Sequence, residues 1–226
     1  MPYETRSAGS GGFFNFGNYD WANTSNITAS NNTFATCTLV ALNGESKYLY
    51  GSNFGFSIPS DATINGLSFE IEWKQSGSGG TTASGSVFAA YDVTDLYGSG
   101  YAGYAAISTS AIPTSDDVYR SAGGSSELWN TTWTASQVNA STFGCWIAAK
   151  NGFATANNVI SADHIRATVW WTEAVSGQPA RKRMGGVAFA HGGYQPGTGI
   201  RRWRHSQNGL ILPNRSIVQP ESRLAN

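Results

Sequence analysis

Two seven-residue runs constrain this chain more than anything else in it. In Leu67–Trp73 the apolar Leu67, Phe69, Ile71 and Trp73 alternate with Ser68, Glu70 and Glu72. In Ile165–Trp171 the residues Ile165, Ala167, Val169 and Trp171 alternate with Arg166, Thr168 and Trp170. A period of two sends successive side chains to opposite faces of a strand, so each run has a core face and a wet face. Trp170 and Trp171 point opposite ways, which takes one of them out of the main core. Further strands are expected over Phe34–Leu42, Ser46–Tyr50, Phe54–Ile58, Gly85–Val93 and Phe143–Ala149. Breakers separate them: Pro59-Ser-Asp61, Gly77–Gly80, Pro113 and Gly123-Gly124. The helical signal is a single turn, Thr134-Ala-Ser-Gln137, with a capping-box pattern before Val138. Seven or more strands at this spacing predict an all-β, antiparallel sandwich.

Composition agrees. Charged residues are 12% of the 226, half the usual share, and Gly reaches 27. That excludes coiled coils and helix bundles, while the eight Trp, ten Tyr and eleven Phe need burial and exclude disorder throughout. No apolar stretch approaches the roughly 18–20 residues of a membrane span. The opening MPYETRSAGSGG lacks the apolar segment of a signal peptide, so synthesis in the cytoplasm is expected, with no membrane partner. Cys37 and Cys145 lie in strand-like runs and are expected as buried free thiols, with a bridge as the alternative.

A net charge of zero hides a split. Residues 1–175 carry six basic and thirteen acidic side chains, whereas residues 176–226 carry eight Arg and Lys against Glu221. Past Gly177-Gln-Pro179 the apolar residues lose their period, so this segment cannot bury a core of its own. It is expected as an extended, mostly irregular, basic arm that docks on an acidic protein surface. Its anchors would be Arg181, Lys182, Arg183, Phe189, Arg201, Arg202, Trp203 and Arg204. Eight charges spread along such an arm are thin for nucleic acid, which is not expected as a partner. The organisation predicted is an N-terminal extension over 1–18, a sandwich domain over 19–175 and the arm over 176–226.

Several short blocks resemble a β-sandwich module of tailed-bacteriophage virion proteins. They are Asn53–Leu67 (NFGFSIPSDATINGL) before an alternating strand, Glu127-Leu-Trp-Asn-Thr-Thr-Trp133, Val138-Asn139, Phe143-Gly144 and Asp163–Thr172. Trp21-Ala-Asn23 stands where such modules begin, and Arg183–Ala190 is similar to the ends of small phage structural proteins. The likeness covers roughly 19–173. It implies a jelly-roll-like virion component, most simply a capsid cement or decoration protein. The arm would tie it to the major capsid protein or other virion proteins, and the protein would be a homo-oligomer, expected as a trimer. The alternatives are a tail or fibre component that binds a receptor or glycan, and a free carbohydrate-binding module.

The blocks also make sense as scaffold. Asp61 can close a turn, Gly66 suits a bulge or tight entry, and Trp129 and Trp133 can seal an open end of the sandwich. Chemistry is harder to place. His164 beside Asp163 reads as a pair at the start of a strand on the sheet edge, and no Gly-x-Ser-x-Gly elbow supports a hydrolase. His191 and His205 lie at no metal spacing. Glu70 and Glu72 share a strand face at a spacing glycosidases use, but that face, with Ser68 and Lys74, reads as the wet side. Asp92, Asp95 and Asp116-Asp117 read as turn formers rather than calcium ligands. Gly77-Ser-Gly-Gly80 lacks the Lys-Ser/Thr of a P-loop. Tyr91, Tyr97, Tyr101 and Tyr104 could form a stacking platform for a sugar or protein. No cofactor and no enzymatic activity are expected.

Overall fold

The computed structural model describes residues 1–40, 42–77, 83–96, 107–109, 111–114, 118–152 and 157–174. The strands are β1 (Tyr3–Ser7), β2 (Ser10–Phe14), β3 (Ala35–Leu39), β4 (Tyr48–Ser52), β5 (Thr63–Gly77), β6 (Ala83–Ala90), β7 (Ile107–Thr109), β8 (Val118–Gly124), β9 (Gly144–Asn151) and β10 (Asn158–Thr172). A four-residue α-helix, α1 (Ala135–Val138), precedes β9. They build two antiparallel sheets in a jelly-roll-like sandwich. Sheet A runs β1-β10-β5-β8, with β3 also paired to β10; sheet B runs β2-β4-β9-β6-β7.

The two alternating runs are the centre of sheet A. β5 and β10 pair along their whole length, from Asn158 against Gly77 to Thr172 against Thr63. Leu67, Phe69, Ile71, Trp73, Ile165, Ala167 and Val169 point inward and are buried against Leu49, Val87, Cys145 and Ile147 of sheet B. Two irregularities interrupt the ladder, between Ala162 and His164 and between Trp170 and Trp171. The first leaves Asp163 as the extra residue of β10. The second leaves Asn65 as the extra residue of β5, a bulge beside Gly66, where an added Cβ would stand 2.3 Å from the Ser125 carbonyl carbon.

Other expectations hold or shift for visible reasons. The capping box forms, with the Gln137 N–H donating to Thr134 Oγ1 and the Thr134 N–H to Gln137 Oε1. Trp129 and Trp133 seal one end: both are buried, with edge-on contacts from Trp129 to Phe69 and from Trp133 to Phe143. Cys37 and Cys145 are buried free thiols. Phe54–Ile58, expected as a strand, forms none. Phe54, Phe56 and Ile58 are buried in the predicted alternation, but Ile58 finds its partners in a side chain, Asn139. Residues 1–18, expected as an extension, supply β1 to sheet A and β2 to sheet B. The arm over 176–226, with Arg181, Lys182, Arg183, Phe189, Arg201, Arg202, Trp203 and Arg204, lies outside the described residues.

Candidate functional site

The outward face of sheet A carries the candidate site. Pairing across four strands sets side chains in rows. Tyr3 of β1 stands beside Trp170 of β10, and Thr5 beside Thr168, then Ser68 of β5 and Gly123 of β8. Ser7, Arg166, Glu70 and Ser121 form the next row, and His164, Glu72 and Tyr119 the last. The first two rows, with Glu70 and Ser121 of the third, border an open groove of about 480 Å³, within the usual range for small-molecule sites.

One wall is aromatic. The Tyr3 and Trp170 rings lie 6.4 Å apart at 37°, and Tyr3 is 65% exposed. The floor is a layer of hydroxyls: Ser68 and Thr168 are nearly buried, and Thr168 shares a 2.8 Å hydrogen bond with Thr5. The far rim, Gly123 to Ser125, is open because two residues there lack side chains. At Gly123 the backbone is left-handed (φ +88°) and a Cβ would meet the Leu67 carbonyl oxygen, whereas at Gly124 a Cβ would meet nothing.

Glu70 supplies the groove's charge. Arg166 donates to it twice, from Nε at 2.7 Å and from a terminal nitrogen at 3.1 Å, and Ser121 Oγ approaches at 3.4 Å. The guanidinium lies over the Tyr119 ring, 4.1 Å from its centroid. The hydrogen bond to Glu70 raises the Arg166 pKa further above its ordinary value. Tyr119 in turn places its hydroxyl 2.6 Å from His164 Nδ1. Burial pushes the His164 imidazole below its usual range, against the opposing pull of Glu72.

The face read from sequence as wet is therefore largely covered. Ser68 and Glu72 are under a tenth exposed, because Thr168 flanks the first and His164 and Tyr119 flank the second in register. Glu72 does not border the groove, so the two carboxylates are not offered together to a ligand. His164 and Asp163 sit inside β10, not at a strand start on the edge, and they do different work. Asp163 accepts the backbone N–H groups of Asn31, Asn32 and Thr33 at 3.0, 3.0 and 3.1 Å. Asp92 makes a turn, accepting from Thr94 N–H and Oγ1. Tyr91 packs on Trp133 at 4.5 Å and bonds Thr131, so it belongs to the sealed end rather than to a platform. Tyr97, Tyr101, Tyr104, Asp116 and Asp117 lie outside the described residues. Among the described residues no group of three or more His, Cys, Asp or Glu could hold a metal ion. Tyr3 and the Glu70–Arg166 pair escaped the sequence reading; Trp170 was flagged by its phase.

No protein-family model matches the chain, and no curated protein matches it. Solved structures do. One, described with a xylogluco-oligosaccharide, is 18% identical over 72% of this chain and 38% of its own, with a TM-score of 0.38. This chain thus spans under two fifths of that protein. A CBM4 carbohydrate-binding module is 12% identical over 72% of this chain and 92% of its own (TM-score 0.32). The enzymatically active domain of bacteriophage CBA120 tailspike protein 4 is 10% identical over 75% and 19% (TM-score 0.33). The capsid cement or decoration reading is corrected here. The structures matched are one described with a xylogluco-oligosaccharide, a CBM4 module and a tailspike domain, and none is described as a capsid cement protein.

Proposed function

We propose that this chain is a non-catalytic, glycan-binding β-sandwich, with the groove on sheet A as its site. One observation carries the reading: an aromatic wall, the exposed Tyr3 and the half-buried Trp170, stands beside a carboxylate, Glu70, fixed by two charge-assisted hydrogen bonds. A sugar ring has an apolar C–H face and a rim of hydroxyls. The aromatic wall suits the face, while Glu70 and the Ser and Thr hydroxyls suit the rim. Glu72 is buried away from the groove, so the general acid and base pair that hydrolysis uses is not assembled.

The test is a glycan array followed by titration calorimetry with the best binder. Binding that Trp170→Ala weakens tenfold or more, with the melting temperature kept, supports the proposal. An array with no hit defeats it. The charge split of the sequence separately supports anchoring of the basic arm on acidic protein. Replacing Arg201, Arg202 and Arg204 by Glu should abolish any salt-sensitive association with an acidic partner and leave sugar binding unchanged.

A further inference from the structure

Taking the groove as the glycan site proposed above, we infer that it selects uncharged sugars and that the Arg166-held Glu70 carboxylate is the selecting element. Among the described residues, Glu70 is the charged side chain that borders the groove. Its counter-ion, Arg166, stands beside it and off the groove lining. Two of the guanidinium nitrogens donate to Glu70 and its plane rests on Tyr119, so it is committed in two directions. A neutral ring can offer hydroxyl hydrogens to the remaining lone pairs of Glu70 and exchange hydrogen bonds with Thr5, Ser121 and Ser125.

A uronic or sialic acid meets a different field. Its carboxylate would leave water for a groove whose described lining presents another carboxylate, Glu70. The nearest guanidinium already gives two of its five N–H donors to Glu70, so the charge it can lend a second carboxylate is shared with the first. The hydroxyl floor offers hydrogen bonds to an anion but no compensating charge. Selection therefore comes from a repulsive group as much as from the attractive aromatic wall.

The experiment uses the full chain and a matched pair of ligands. These are a neutral hexose oligosaccharide that binds on the array, and the same oligosaccharide with its primary C6 hydroxyls oxidised to carboxylates. Calorimetry should give the oxidised form a Kd about tenfold or more weaker. Glu70→Gln should narrow or reverse that gap, since it removes the repulsion and frees Arg166. As a check independent of any variant's folding, raising the salt concentration should narrow the gap in the wild-type protein. Equal or tighter binding of the oxidised ligand overturns the selectivity while leaving glycan binding in place. So does a gap untouched by both Glu70→Gln and salt. Absence of binding to every glycan defeats the proposed function and the selectivity with it.

Discussion

Asn139 and Ile58 are joined by two hydrogen bonds: the Ile58 N–H donates to Asn139 Oδ1 at 2.9 Å, and Asn139 Nδ2 donates to the Ile58 carbonyl at 2.8 Å. The side-chain amide thus does for Ile58 what a neighbouring strand would do. It holds Phe54, Phe56 and Ile58 in the core without a ladder. Asn139→Ala should cost about 2 kcal/mol, because two backbone groups lose their partners at once. Urea unfolding measures it, and a change under 0.5 kcal/mol would show that the pairing is incidental.

Asp163 fastens the Asn31–Thr33 segment to the middle of β10 through three backbone N–H groups. Hydrogen bonds to a charged acceptor are the stronger kind, so Asp163→Ala should lower stability by about 3 kcal/mol. Limited proteolysis should then cut first near residues 28–33. A variant as stable and as resistant as the wild type would contradict the role.

The extent to which such features can be read from sequence differs by element. β5 and β10 are legible because their own side chains alternate, and α1 because its cap is local. β1, β2 and β8 are not, since TRS, SGG and RSAGG have no alternation to read. They are strands because β10, β4 and β5 offer them ladders. The Phe54–Ile58 pattern correctly marks burial but says nothing of where the backbone bonds go. The groove fails to show for a similar reason. Arg166 and Glu70 are 96 residues apart, and only the register joins them.

Gly124 gives a way to close the groove without touching its chemistry. A Cβ there meets nothing within 4 Å, so Gly124→Phe should place its ring over the rim with little loss of stability. Sugar affinity should fall tenfold or more while the melting temperature moves by less than about 3 °C, the shift for roughly 1 kcal/mol at this size. Undiminished affinity would place the ligand elsewhere.

Stability should peak between about pH 6.5 and 9. Burial holds His164 neutral below its ordinary 6.5, where Glu72, Glu70 and Asp163 oppose that effect and Arg166 assists it. Below 6.5 the unfolded chain takes up a proton that the native state resists, so stability falls with falling pH. At the other end burial pushes the Cys37 and Cys145 thiols from 9.0 up to about 12. Between those values the unfolded thiols ionise and the native ones do not, so stability falls with rising pH. Urea midpoints at pH 5.5, 7.5 and 10.5 should follow this order, and His164→Gln should shallow the acid limb. An aromatic disulfide reagent at pH 8 should find no thiol in the native protein and two in urea. None in urea would mean a disulfide.

The extra residue at Asp163 also governs how this protein should be compared with others. Ile160 and Ala162 face the core on even numbers, and Ile165, Ala167 and Val169 on odd ones. An alignment that scores unbroken alternation along all fifteen residues of β10 therefore files Arg166, Thr168 and Trp170 as interior. Allowing one frame change at Asp163 returns all three to the outward face, where a relative's ligand contacts should be sought.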